Sequence, residues 1–589
     1  MFLLFLLLFL LFLLLQSLAR AMWERTALLT GLLVAGFQAE CAVAWSSSRR
    51  PAYIEQLQDH FDVSNQNRWR QAYYINDTFW TPGSDAPIFL CVGGEGPAID
   101  GSAISSSVHC NNAVEWLPEK KALMFALEHR YYGCHNLSAC PVSDLTRPDA
   151  LAYLSSSQAV ADIATFVRTL TAAHGLTTRN KWVTWGGSYP GMLAAWSRLK
   201  HPELIHASVA SSAPVSATLD MPEYFDKMAD AYSINSSGVG GSPACRDAIR
   251  EGHAWIEDRF AQGATGEVEQ RFGLAAGSLQ TADQQIGFAA SGVADFPAQE
   301  NDPLCPEPAC NIAKVCAIMT DSSAEDTVQR LIHLRAAQAL SHIVDIRGVQ
   351  ESRELVPRRR PLRRFGARVG DPPNVPDYWY YQTCTEFGFY QTCEVGSNCM
   401  FVRGILDVSY MAANCAALYN VSLDAIKANI NATNLHYGGL QPTGPDGKLG
   451  RCVMWPNGEV DPWSTRSVLQ APSQKMPTLL VAGASHHAWT WPSRAGDQES
   501  VTDARLQIRK QVEAFLDDTS CEGAGPPGPH SDGDDQTPYI IAGVLVVLAV
   551  AAGLGVLVRR RRLAARTPLL STDGPSAERG LSLEPRTSA

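Results

Sequence analysis

A serine framed by glycines at the end of an apolar run is the sharpest chemical signal in this sequence. Trp182-Val183-Thr184-Trp185-Gly186-Gly187-Ser188-Tyr189-Pro190-Gly191 reads as a buried strand, a tight turn and then a helix from Met192 to Lys200, stopped before Pro202. A serine hydroxyl at its ordinary pKa is a weak nucleophile, and it attacks a carbonyl only when an oriented base takes its proton. The strained turn that lifts such a serine above a sheet requires small neighbours. Gly186 stands two residues before Ser188, whereas Pro190 stands two after, so the G-x-S-x-G pattern is partly met. Proline suits the first turn of a helix, where its missing N–H has no partner.

On an α/β sheet the order expected for such a triad is serine, acid, histidine. Trp455-Pro456-Asn457-Gly458-Glu459-Val460-Asp461-Pro462-Trp463 supplies two acids in one loop, and Asp461 is favoured over Glu459. A strand, Leu479 to Ala482, follows, and then Gly483-Ala484-Ser485-His486-His487-Ala488-Trp489. Of the 14 histidines only this pair follows a late strand, and the expected base is His486, with His487 the alternative. An oxyanion needs two backbone donors. Tyr189 N–H is one, and the loop Gly93-Gly94-Glu95-Gly96 supplies the other, at Gly94. That loop lacks the Lys and Ser/Thr of a phosphate-binding loop.

Elements able to position these groups are legible around them. Pro87 to Val92, Ala122 to Glu128 and Lys181 to Trp185 are buried-strand runs, and Leu151 to Leu170 has helical spacing. Strands alternating with helices predict a parallel sheet. From about 220 to 350 the pattern turns helical. Ser323 to Asp326 reads as a capping box before Val328, Leu331, Ile332 and Ala336. Residues 351–376 carry seven Arg and several Pro, and Ala504 to Leu516 reads as a closing helix.

The chain has 589 residues, 46% hydrophobic and 18% charged, with a net charge of −11. No basic domain exists to neutralise phosphates, which excludes nucleic-acid partners. Residues 2–15 are Phe and Leu throughout, and Met22 opens a second signal-like stretch ending in Ala42-Val43-Ala44. Residues 1–44 are therefore expected to be removed. Ile540 to Val558 is long enough to cross a bilayer, and Arg559 to Arg562 then hold the tail inside. The expectation is a single-pass type I membrane protein, with its body in a lysosome-like lumen or outside the cell. The tail 559–589 carries +4 and the rest of the chain −15. Fifteen cysteines lack zinc-site spacing, and 14 of them fall in the body, so disulfides are expected and a metal is not. Asn76, Asn136, Asn235, Asn420 and Asn431 are sequons for N-glycosylation.

Six or seven motifs in order resemble the proline-specific serine exopeptidases. That family includes lysosomal Pro-X carboxypeptidase, dipeptidyl peptidase II and thymus-specific serine protease. The matching motifs are Gln58-Asp-His-Phe61, Gly93-Gly-Glu-Gly96, Glu128-His-Arg-Tyr-Tyr-Gly133, Gly186 to Gly191, Tyr381-Gln-Thr-Cys-Thr-Glu386, Asn457 to Trp463 and Gly483 to His487. Tyr381 to Tyr390 looks closest to the thymus-specific branch. The resemblance implies an α/β-hydrolase fold with an inserted helical cap. It implies Ser188 as nucleophile, Asp461 as orienting acid and His486 as base. It also implies cleavage next to proline near a chain end, with Met192 and Trp463 lining the proline pocket. No cofactor is implied; peptides are the expected partners, and homodimerisation stays open.

An exopeptidase must read a terminus. Glu95 or Glu386 would suit an N-terminal ammonium, and Arg130 a C-terminal carboxylate. Dipeptide release is favoured over Pro-X carboxypeptidase action, and a catalytically silent binding ectodomain is the reading from another class. The expected layout is a signal (1–44), two parts of the hydrolase (45–215 and 377–520), a helical cap with the Arg-rich loop (216–376), a stalk (521–539), a transmembrane helix (540–558) and a tail (559–589).

Overall fold

The computed structural model describes residues 50–522 apart from 107, 135–136 and 345–376. The signal segment, the Arg-rich loop, Asn136 and the run Ile540 to Val558 lie outside the described residues. No helix among the described residues is long and apolar enough to cross a membrane.

Among the described residues, ten strands form in chain order: β1 (Ala52–Leu57), β2 (Arg68–Asn76), β3 (Ile88–Val92), β4 (Leu123–Leu127), β5 (Trp182–Gly187), β6 (Ala207–Ser211), β7 (Thr218–Asp220), β8 (Gly388–Tyr390), β9 (Val453–Gly458) and β10 (Thr478–Val481). Eight of them make one sheet in the order β1-β2-β4-β3-β5-β6-β9-β10, and β7 and β8 make a small parallel pair. The pairs β1–β2 and β2–β4 are antiparallel, and every later pair in the large sheet is parallel. The central strands are buried on both faces, as their near-continuous apolar runs require.

Side-chain alternation splits the core into two layers. Ile88, Leu90, Leu123, Phe125 and Leu127 pack on one face with Val160, Ile163, Phe166 and Val167 of the helix Ser156–Ala173. Phe89, Met124, Val183 and Trp185 pack on the other with Ala504, Ile508 and Val512 of the helix Glu499–Asp517. An α/β-hydrolase-like fold results, a mixed sheet between helical layers. The helix Ser156–Ala173 begins later than the periodicity predicts, because the Ser155 hydroxyl accepts from Gln158 N–H and fixes the N-cap there.

Between β6 and β9 the chain leaves the sheet. Its helices include Glu223–Ala231, Pro243–Ala261, Ile312–Met319 and Thr327–Val344, then Val408–Tyr419 and Leu423–Tyr437. The sheet resumes only at Val453, so the insertion extends well beyond the 216–376 expected for the cap. Asp326, rather than Ser323, caps Thr327–Val344, accepting from Gln329 N–H at 2.7 Å.

Seven disulfides consume the 14 body cysteines. They are Cys91–Cys110, Cys134–Cys140, Cys245–Cys316, Cys305–Cys310, Cys384–Cys415, Cys393–Cys399 and Cys452–Cys521. Cys305, Glu307 and Cys310 lie close together, but the two sulfurs are bonded to each other and cannot act as thiolate ligands. Asn76 is 3% exposed and its Nδ2 donates to Ile104 O, which corrects the expectation of a glycan there. Asn235, Asn420 and Asn431 are exposed.

Candidate active site

Ser188 follows β5 directly and holds φ 63°, ψ −133°, a conformation that costs on the order of 1–3 kcal/mol for a residue with a Cβ. Its N–H donates to Ser211 O at 2.9 Å, hanging the turn from the end of β6. Glycine is needed on both sides because backbone crowds there. A Cβ on Gly186 would lie 2.3 Å from Pro190 O, and one on Gly191 2.9 Å from Ser211 O. The second glycine of the elbow is thus displaced by one position, to 191, and Pro190 opens the helix Tyr189–Lys200.

The candidate acid and base follow β9 and β10, two and three places along the sheet from β5. Asp461 follows β9 and is fully buried; its Oδ1 accepts from Trp463 N–H and its Oδ2 lies 2.9 Å from His486 Nδ1. His486 follows β10, and its Nε2 is buried without a hydrogen bond among the described residues, which leaves that nitrogen for proton transfer. Glu459 is used elsewhere, its Oε2 accepting from Gly483 N–H at 2.7 Å. His487 donates its backbone N–H to Ser212 Oγ and pairs through Nδ1 with Thr490 Oγ1. Burial, and then the neighbouring His486 and His109, hold the His487 imidazole well below its ordinary range. The geometry therefore couples Asp461 to His486 rather than to His487.

Tyr189 is the first residue of its helix, so its N–H has no intrahelical acceptor. The glycine loop lies against the same turn, since a Cβ on Gly94 would sit 2.4 Å from Pro190 Cγ. The Gly94 loop thus packs directly on the first turn of the helix that Tyr189 begins. The phenol of Tyr189 anchors the turn from behind: its oxygen accepts from Gln382 Nε2 at 2.9 Å and lies 3.1 Å from His129 Nε2. Burial, followed by the charges of Glu386 and Glu95, pushes that phenol well above its usual pKa.

Several expected substrate contacts prove to be internal. Met192 is 0% exposed within the main core, so it packs inside the fold rather than lining a substrate wall. Glu386 accepts from the Ser156 N–H and hydroxyl and from Gln382 Nε2, which corrects its assignment to a substrate terminus. Arg130 is likewise not free: it holds Asp162 with two bonds of 2.7 Å, while His60 Nε2 takes Asp162 Oδ1. The motifs Gln58 to Phe61 and Glu128 to Gly133 meet at this buried carboxylate. Glu95 stays in the glycine loop, where its charge is felt at Tyr189.

Trp463 remains beside the acid. Its ring stands edge-on to Tyr224 and Phe389, and its Nε1 donates to Gln299 Oε1 at 2.8 Å. Gln299 has no motif around it, and the sequence reading passed it over. Its Oε1 also accepts from Tyr224 OH at 2.8 Å, and its carbonyl accepts from His486 N–H at 3.0 Å. Ser211 and Ser212, which hold Trp489 Nε1 and His487 N–H, were passed over for the same reason.

A strained serine elbow after β5, with a buried Asp–His pair after β9 and β10 of the same sheet, defines a serine hydrolase. The chain belongs to the serine carboxypeptidase S28 family, whose profile matches residues 56–508, and it is a serine-type peptidase. It is 33% identical over 474 residues to human thymus-specific serine protease, covering 79% of this chain and 86% of that protein. A putative serine protease of Caenorhabditis elegans is 28% identical, covering 78% and 87%. Bovine lysosomal Pro-X carboxypeptidase is 27% identical, covering 82% and 93%.

Proposed function

We propose that the protein is an exopeptidase that cleaves after proline near a chain end through an acyl-enzyme on Ser188. The 2.9 Å contact between Asp461 and His486, which follow β9 and β10 in the sheet that carries the Ser188 elbow, carries this reading. His486 Nε2 takes the hydroxyl proton as Ser188 Oγ bonds to the scissile carbonyl carbon. Tyr189 N–H and Gly94 N–H receive the oxyanion. Collapse of the tetrahedral intermediate breaks the C–N bond, and the leaving amine departs with the proton from His486. Water then enters, gives its proton to His486 and releases the acid, restoring Ser188. Trp463 offers a flat wall suited to a pyrrolidine ring.

With Glu386 and Arg130 both occupied inside the fold, the remaining acids near the site favour recognition of an amino terminus, hence dipeptide release. The name of the family, and the Pro-X carboxypeptidases within reach of this sequence, support carboxypeptidase action as the second reading. A peptide set with proline second or penultimate, scored by which end is released, separates the two. Labelling of the ectodomain by a fluorophosphonate tests the shared chemistry: labelling that persists in Ser188→Ala, or an intact ectodomain that never labels, overturns it.

We further propose that the body lies in a lumen or outside the cell, anchored to a membrane by the apolar run 540–558. Support comes from the apolar run, the arginines after it and the 14 paired cysteines. Retention in the membrane pellet after alkaline carbonate extraction tests this, and release into the supernatant overturns it.

A further inference from the structure

The segment after Gln299 enters the site from the cap and carries one carboxylate that the reaction chemistry leaves unused. Gln299 is fixed at three points, through its carbonyl to His486 N–H and through Oε1 to Trp463 Nε1 and Tyr224 OH. Asn301, one residue beyond Glu300, is pinned too, with Oδ1 accepting from Ile312 N–H at 2.9 Å. Asp302 is clasped by Arg494 through bonds of 2.8 and 2.9 Å. The backbone on both sides of Glu300 is therefore held beside the histidine loop.

Glu300 itself is solvent-exposed, yet it is surrounded by protein. A group that is both deep and wet sits in the floor of a cleft. Glu300 lines a cavity with Asn301, Leu304, Ser485 and Ala488, the last two flanking the histidine pair. The charges that reach it are those of His486, Asp295 and Asp461, and it is felt in turn at Tyr224. Among the described residues it enters no ion pair, while the nearby Arg494 is taken by Asp302 and Asp497. The protein crowded around it, relieved in part by His486, pushes its carboxyl up to about 7. An anion with acidic neighbours and no cation of its own gains most from a cationic ligand.

We propose that Glu300 is the specificity residue that receives the substrate's N-terminal ammonium, with Gln299 holding it at that place. This rests on the exopeptidase reading of the same site and deepens it. Two extended residues span about 7 Å, so the group that counts off a dipeptide must stand close to the triad on the substrate's amino side. Glu300 follows the residue whose carbonyl binds His486 N–H and carries a charge of the right sign for that role. Arg130 and Glu386, the other candidates, are each committed to partners inside the fold.

The test uses the purified ectodomain with a Gly-Pro fluorogenic amide, either free or acetylated at its amino end. The wild-type enzyme is expected to prefer the free form at least 100-fold in kcat/KM. Glu300→Gln should reduce that ratio about 10- to 100-fold, mainly through KM for the free form. Glu300→Lys should shift preference toward an N-succinyl substrate. Fluorophosphonate labelling of Ser188 in each variant reports that the site is folded. A labelled Glu300→Gln enzyme that keeps the wild-type ratio overturns the assignment. So does a wild-type enzyme that cleaves both forms equally, or one that releases residues from the carboxyl end. A wild-type ectodomain that never labels removes the exopeptidase reading, and the assignment with it.

Discussion

Asp461 Oδ2 and His486 Nδ1 are 2.9 Å apart, and both side chains are buried. At this distance the carboxylate fixes the tautomer in which Nε2 can accept a proton, and it stabilises the imidazolium formed next. Asp461→Asn should therefore lower kcat by about 10⁴-fold with little change in KM. Glu459→Gln, which keeps an acceptor for Gly483 N–H, should cost less than about tenfold. Steady-state kinetics on one chromogenic amide decide it. The reverse ranking would transfer the orienting role to Glu459.

Arg130, Asp162 and His60 form a buried cluster at the junction of two sequence motifs. Burial pushes the Asp162 carboxyl up, but Arg130 and then His60 outweigh it and hold the group below its ordinary value. The stability this supplies is complete above the ordinary aspartate range and is lost as pH falls through the lowered folded-state value. Asp162→Asn leaves Arg130 buried and uncompensated, and it should cost about 3–5 kcal/mol. Urea unfolding at neutral pH measures this. A loss under about 1 kcal/mol would mean that the cluster is wet in solution.

The Glu300 carboxyl, pushed up to about 7 by the protein crowded around it, should make substrate capture pH-dependent. Below that pH it is protonated and offers an ammonium no charge, so KM for a free dipeptidyl amide should rise as pH drops from 8 to 6. His486, Asp295, Asp461 and Tyr224 are the titratable groups that face it. In Glu300→Gln the rise in KM should disappear while the kcat profile persists. A pH profile of KM identical in both enzymes counts against the assignment.

Glycans should be found at Asn235, Asn420 and Asn431 and not at Asn76. The three are exposed, whereas the Asn76 side chain is enclosed and bonded to Ile104 O. Peptide mapping after enzymatic deglycosylation in heavy-oxygen water marks each used site. Substantial occupancy of Asn76 would require a different packing of β2.

The elbow serine and the Asp–His pair proposed to act with it were legible as candidates because each lies in a local pattern that physics restricts tightly. Gly186 and Gly191 are forced by backbone contacts of the elbow, and Asp461 and His486 each follow a strand end. The central strands β3, β4 and β5 were legible as apolar runs. The strands β6 and β9 were not, because Ala-Ser-Val-Ala-Ser and a strand containing Pro456 hide among small or turn-forming residues. Nor were the partners of Glu386, Arg130 and Gln299. Their hydrogen bonds span 230, 32 and 164 positions, and no local spacing records which polar side chain a distant segment will meet.

The closing helix and the residues after it are fastened at one end of the sheet. Cys521 is joined to Cys452, one residue before β9. Lys181, one residue before β5, donates to Leu516 O, and His206, one residue before β6, bonds Phe515 O. Ser188, Asp461 and His486 follow the opposite ends of β5, β9 and β10. Any pull transmitted through the C-terminal segment is therefore borne by the floor of the sheet, through a covalent rivet, and bypasses the rim where the reaction occurs. A tether at this point would leave the catalytic mouth mechanically unloaded.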